Sequence, residues 1–165
     1  MIGAALASFV SAPAYAQDAE AAAEAAVQEA EIAQRAYLNA QQAYLSGLMA
    51  SDGWYTGEGG LRWRYVRYLG TGDSPSRSDT VTVNYEGSFI DGEVFDSSYQ
   101  RGQPATFPLS GLIDAWEIAI PQMRVGETIE LAAPSTLAYG PKGRGPIPGG
   151  ATLVFKVELI SIEGR

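Results

Sequence analysis

The sequence predicts an α+β fold in which an antiparallel sheet carries one short helix on one face and is preceded by an N-terminal helical arm. Three observations predict it. Residues 18–49 contain no Pro and a single Gly, amid Ala, Glu and Gln, so helix propensity is high throughout. Period-two alternation follows, as in Val81, Val83 and Tyr85 and again in Leu153, Phe155, Val157 and Leu159, the spacing of strands with one buried face. Between them Leu112, Ile113, Trp116 and Ile120 recur at three-to-four spacing before Pro121, which predicts one short helix that Pro ends or kinks.

Taken in order, "MIGAALASFVSAPAYAQ" combines a small-residue apolar run with Ala14-Tyr15-Ala16. This resembles a secretory leader cut after Ala16, residues 1–16, although it lacks a basic n-region. It implies export, with a bacterial periplasm as the destination. The run is shorter than the roughly 20 residues that span a bilayer. Residues 17–50 form the arm. Its larger apolar side chains, from Val27 and Ile32 to Leu48 and Met49, crowd the second half, so that half has the surface to pack on something. Two readings of the arm stay open, a functional one (homodimerisation or a client-holding surface) and a spacer with frayed ends, because no sustained heptad appears.

Residues 51–60, "SDGWYTGEGG", read as a linker, since four glycines admit turns and end the helix. The domain proper spans residues 61–165. Leu61–Leu69 is aromatic and β-branched, "GTGDSPSRSD" is a loop, and Asp91-Gly92 marks a turn. Asp114 with Glu117 has the spacing of a helix capping box. Thr128–Ala133 and the segment from Leu153 are the last strands. The alternation of Arg62, Arg64 and Arg67 with Leu61, Trp63 and Tyr65 reads as the outward face of a strand.

Composition excludes several function classes. The chain of 165 residues with 46% hydrophobic content supports one domain with a modest extension. A net charge of -8 repels a polyanion, so nucleic acid is not an expected partner. With neither Cys nor His, a thiol nucleophile, a Ser-His pair, an imidazole base and a Cys/His zinc site are all absent. No metal or cofactor is expected.

"YGPKGRGPIPGGATLVF", Tyr139 to Phe155, poses the sharpest choice. Its glycines and basic residues could cradle a phosphate, but such loops lead into a helix N-terminus, and this one leads into a strand-type sequence without the G-x-x-x-x-G-K-[ST] order. The alternative is a flap over an apolar pocket, with Lys142 and Arg144 as solvated charges at its tip. Three segments supply the rest of such a pocket. "NYEGSFIDGEVFDSSYQRGQP" carries Tyr85, Phe95, Asp96 and Arg101; "FPLSGLIDAW" carries Phe107, Leu112, Ile113 and Trp116; the flap carries Tyr139, Ile147 and Phe155.

Over residues 60–163 the sequence resembles the FKBP-type peptidyl-prolyl cis-trans isomerases, on "VNYEGSFIDGEVFDSS", "LIDAWEIAIPQMRVGE" and "LAYG" followed by "IPGGATLVFKVELI". With the exported helical arm it is similar to the Mip-like subgroup. The resemblance implies a curved antiparallel half-barrel wrapped around the short helix, and isomerisation of X-Pro bonds in exported proteins. It implies a pocket with Trp116 as floor, Tyr139 and the Ile113 backbone N–H contacting carbonyl oxygens, Asp96 beside the substrate proline, and Tyr85 and Arg101 holding Asp96. Phe95, Phe107, Leu112, Ile147 and Phe155 complete it. The implied partners are proline-containing polypeptides, macrolide inhibitors, and a second copy bound through the arm. Ala105, the Asp114-Ala115 pair and the "GPKGRGP" loop depart from the family's usual pattern, which bears on substrate preference. A non-catalytic proline-binding module and a structural oligomerisation protein are the alternatives.

Overall fold

The computed structural model of the chain describes residues 14–164. Helix α1, Ala14–Gly47, is the predicted arm. Most of the leader lies outside the described residues, and Ala14 to Ala16 open this helix. The chain divides into compact units at Met1–Tyr37 and Leu38–Arg165. Within the first, Val27 and Ile32, counted among the apolar side chains with surface to pack, are exposed.

The second unit begins with the last turns of α1. Leu45 is buried against Ala132 and Val154, with Tyr44 and Leu48 beside it. The Thr152 N–H donates to Gln41 Oε1 at 2.8 Å. Arg62 Nε donates to the Leu45 carbonyl at 3.3 Å, satisfying one of the carbonyls that a helix end leaves open and placing a cation where the helix dipole favours it.

Seven strands follow: β1 (Tyr55–Thr56), β2 (Arg62–Arg67), β3 (Thr80–Ser88), β4 (Val94–Ser97), β5 (Ala105–Pro108), β6 (Thr128–Ala133) and β7 (Leu153–Ile162). They form one antiparallel sheet in the order β1-β2-β6-β7-β3-β4, with β5 also on β3. One flank of β3 runs along β7, and its other flank is shared end to end by β5 and β4. The short helix α2, Asp114–Ala119, carries Trp116, Ala119 and the following Ile120 into the core.

The period-two readings follow the burial. Val81, Val83 and Tyr85 are buried between half-buried neighbours, and Leu153, Phe155, Val157 and Leu159 are buried on β7. Val154 is buried too, because the end of α1 covers the outer face of the sheet there.

Four expectations change. The stretch 51–60, read as a linker, contributes β1, which pairs Tyr55 with Trp63, and the buried Trp54. Strand β2 stops at Arg67 because the N–H groups of Leu69 and Gly70 both donate to Glu127 Oε1 at 3.1 Å instead of continuing a ladder. Asp114 does not cap α2: the N-cap is Ile113, extended at ψ 147°, and no side chain bonds there. Asp114 is itself helical, so its carboxylate acts in the first turn, near the positive end of the helix. Arg64 is not simply solvated, since it pairs with Glu130 at 2.7 Å and lies over the Trp54 ring at 4.7 Å.

Candidate active site

A cleft of about 510 Å³ is walled by β3, β4, β5, the start of α2, the flap and β7. That volume suits a short peptide segment or a small ligand.

The floor is Trp116, buried to 4% exposure. Three rings stand nearly perpendicular to its indole: Tyr85 at 5.2 Å, Phe155 at 5.4 Å and Phe107 at 6.3 Å between centroids. Such edge-to-face pairs add about 0.5–1.5 kcal/mol each beyond their burial. Trp116 Nε1 is buried with no hydrogen-bond acceptor among the described residues, and the aromatic rings are its neighbours at the floor.

Phe95 from β4 packs edge-on against Phe155 at 5.8 Å, and Gly87 on β3 makes room for both. A Cβ there would fall 2.7 Å from Phe95 Cζ and 2.9 Å from Phe155 Cε1, closer than carbon atoms pack. A glycine inside a strand pattern is the sequence signal for such close approach.

The polar wall lies on β3 and β4. Tyr85 Oη donates to Asp96 Oδ2 at 2.5 Å, Arg101 Nη2 donates to Tyr85 Oη at 2.9 Å, and Arg101 Nη1 donates to Asp96 Oδ1. The three groups hold one another. Burial, followed by the hydrogen bond to the Asp96 carboxylate, pushes the Tyr85 phenol above its ordinary value of 10.0. Ser98, buried, receives the Tyr85 N–H at 2.8 Å, and its own N–H donates to the Tyr85 carbonyl at 2.9 Å. This clamp fixes the end of β4 against β3 and so sets Asp96.

The mouth is formed by Leu112, Ile113 and Asp114 on one side and by Ala138, Tyr139 and Arg144 on the other. Among the described residues the Ile113 N–H has no hydrogen-bond acceptor and is available to a bound carbonyl oxygen. The flap owes its shape to two glycines that let backbone segments touch. A Cβ on Gly143 would sit 2.1 Å from the Ile147 carbonyl oxygen, and one on Gly149 2.1 Å from that of Pro141. Reciprocal bonds join Arg144 and Ile147, N–H to O at 2.9 and 3.0 Å.

Tyr85, Phe95, Asp96, Phe107, Leu112, Ile113, Trp116, Tyr139 and Phe155 therefore meet in one cleft. Two of the expected residues do not line it. Ile147, within the flap, is buried at 8% exposure, and Arg101 acts from outside through Asp96 and Tyr85. Arg144, expected to be an uninvolved charge at a loop tip, borders the cleft with its guanidinium 6.0 Å from the centre of the Tyr139 ring. The phosphate reading of the flap finds no support here, since a strand, β7, follows it.

Residues 72–160 match the FKBP-type peptidyl-prolyl cis-trans isomerase family. The peptidyl-prolyl cis-trans isomerase Mip of Coxiella burnetii is 49% identical over 107 residues, covering 64% of this chain and 46% of that protein. The FKBP-type 22 kDa isomerase of Escherichia coli is 50% identical over 106 residues, 64% of this chain and 51% of that protein. The chain thus spans about half the length of these relatives. The crystal structure of FkpA from Escherichia coli superposes with a TM-score of 0.75 at 38% identity, covering 90% of this chain and 70% of that one. A peptidyl-prolyl cis-trans isomerase from Pseudomonas syringae gives 0.71 at 34% identity, covering 78% and 94%.

Proposed function

Because the chain belongs to the FKBP-type peptidyl-prolyl cis-trans isomerase family, we propose that it accelerates cis-trans isomerisation of X-Pro bonds in polypeptides. The observation that carries this reading is the buried aromatic floor beneath a polar wall that presents no nucleophile. Rotation about a peptide bond faces a barrier of about 18–20 kcal/mol, because the planar amide gives up its resonance. The twisted bond has less charge separation than the planar one, so transfer from water into an apolar cleft favours it. No covalent step is required, which suits a chain without Cys or His.

Each group has a role in this scheme. Trp116, Phe107, Phe155 and Phe95 enclose the proline ring; Leu112 packs beside them. The Ile113 N–H and the Tyr139 hydroxyl hold carbonyl oxygens on either side of the rotating bond. Asp96, fixed by Tyr85 and Arg101, stands beside the amide whose charge distribution changes. Ile147 anchors the flap from within, through its buried side chain and its backbone bonds to Arg144. Interactions that strengthen as the bond twists lower the barrier, and every 1.4 kcal/mol or so is about tenfold in rate.

Three finer readings accompany it. Export is supported by the leader-like segment expected at residues 1–16 and is consistent with the name of a Legionella longbeachae relative, outer membrane protein MIP, 48% identical over 105 residues. Homodimerisation through the arm is supported by the exposed Val27 and Ile32. A macrolide would enter the same apolar cleft and block it.

The test is a proline-limited refolding assay with the whole chain, with and without a macrolide. Acceleration of the slow phase, abolished in Trp116→Ala, is expected. Unchanged slow-phase kinetics with folded protein would leave only a non-catalytic binding module.

A further inference from the structure

Asp96 is neutralised by Arg101, but two other charges border the same cleft. Arg144 belongs to the flap and Asp114 to the start of α2. Among the described residues the ion pairs are Arg64–Glu130 and Arg101–Asp96, so neither Arg144 nor Asp114 is paired.

Arg144 is also held in place. Its backbone is bonded both ways to Ile147, and the contacts at Gly143 and Gly149 fix the loop on either side of it. Only its side chain remains to be ordered, and the Tyr139 ring offers that side chain a face at 6.0 Å. A chain of net charge -8 repels acidic polypeptides as a whole. At the flap the local sign is reversed, while Asp114 keeps the acidic sign on the helix side. The mouth is therefore polarised across the path of a bound chain.

We propose that Arg144 is a specificity determinant that selects polypeptides carrying a carboxylate side chain next to the proline, on the side that crosses the flap. The inference rests on the isomerase reading above. Arg144 is exposed, so the discrimination is that of a solvated ion pair, about two- to fivefold in kcat/KM, and salt weakens it.

The experiment measures kcat/KM of the full chain on two series of four-residue peptides, with Glu, Gln or Lys immediately before the proline or immediately after it. The expected result is a Glu-over-Lys preference of about two- to fivefold in one series, reversed in Arg144→Glu, abolished in Arg144→Gln, kept in Arg144→Lys and flattened by salt. A structural role for Arg144 would lower all peptides alike and leave the ratio unmoved. Equal rates for Glu and Lys in both series, or a preference untouched by Arg144→Glu, overturns the proposal while the isomerase reading stands. If the native chain fails on the neutral Gln peptides as well, it is the isomerase reading that fails, and this one with it.

Discussion

The two walls of the cleft are built on opposite principles. On one side Tyr85, Asp96 and Arg101 form a closed set of hydrogen bonds, with Asp96 and Arg101 side chains each 42% exposed. On the other, Trp116 and Phe155 are 4% and 5% exposed and their contacts are rings against rings. An ion pair so open to water contributes only about 0.2–1 kcal/mol to stability, whereas a buried indole anchors the core. The difference separates two tasks: the polar wall places one carboxylate, and the apolar floor holds the domain together and, in the proposed reaction, desolvates the substrate. Mutations on the two walls should therefore fail in different ways.

The largest effect is expected from Trp116→Ala. Losing the floor and leaving a cavity should cost about 3–5 kcal/mol of stability, seen in chemical denaturation, together with nearly all isomerase activity. Trp116→Phe sharpens the point: it removes an N–H that has no acceptor, so it should stay folded while kcat/KM falls. Asp96→Ala comes next, with a rate loss of about tenfold or more, the scale of a single preorganised electrostatic contact, and a midpoint shift within about 1 kcal/mol. If Asp96→Ala unfolded the protein as Trp116→Ala does, the division of labour between the walls would be wrong.

Gly87→Ala follows, because its added carbon meets the rings of the floor first, although Gly87 also pairs with Asp96 across β3 and β4. The added carbon pushes Phe95 and Phe155 apart, an overpacking of about 1–3 kcal/mol, and should raise KM more than it lowers kcat. The smallest effect is the pH response of the polar wall. The folded Tyr85 phenol titrates above 10.0, so the unfolded chain releases its proton first as pH rises. The stability this group contributes is present in full below pH 10 and is lost as pH rises through the folded value. Its contribution to activity should be level from about pH 6 to 9 and decline only above 10. A Tyr85-dependent loss near neutrality, absent in Tyr85→Phe, would contradict the assignment.

Much of this was legible beforehand, and what was not has identifiable causes. Val81, Val83 and Tyr85 reveal their strand because alternation is local, and Trp116 reveals its helix face by spacing. Strand β1 is two residues within a glycine-rich break, so its pairing with β2 depends on partners rather than on its own sequence. Asp114 carries the right residue type for a cap, but the turn of chain at Ile113 puts it one position inside the helix. Glu127 has no local signal: its buried carboxylate accepts the N–H groups of Leu69, Gly70 and Arg124, two of which lie nearly sixty residues away. Arg144 looks like any loop charge until the flap is folded back over the mouth.

The glycine contacts in that flap also bear on how the protein can be altered. Gly143 and Gly149 admit no side chain at all, and Ile147 is committed to the interior, yet Lys142 just before them and Arg144 and Pro146 between them are exposed. The loop is thus a fixed frame with interchangeable inserts. Lineages or designers could rewrite which polypeptides it admits at those exposed positions and leave the aromatic floor, and with it the chemistry, untouched.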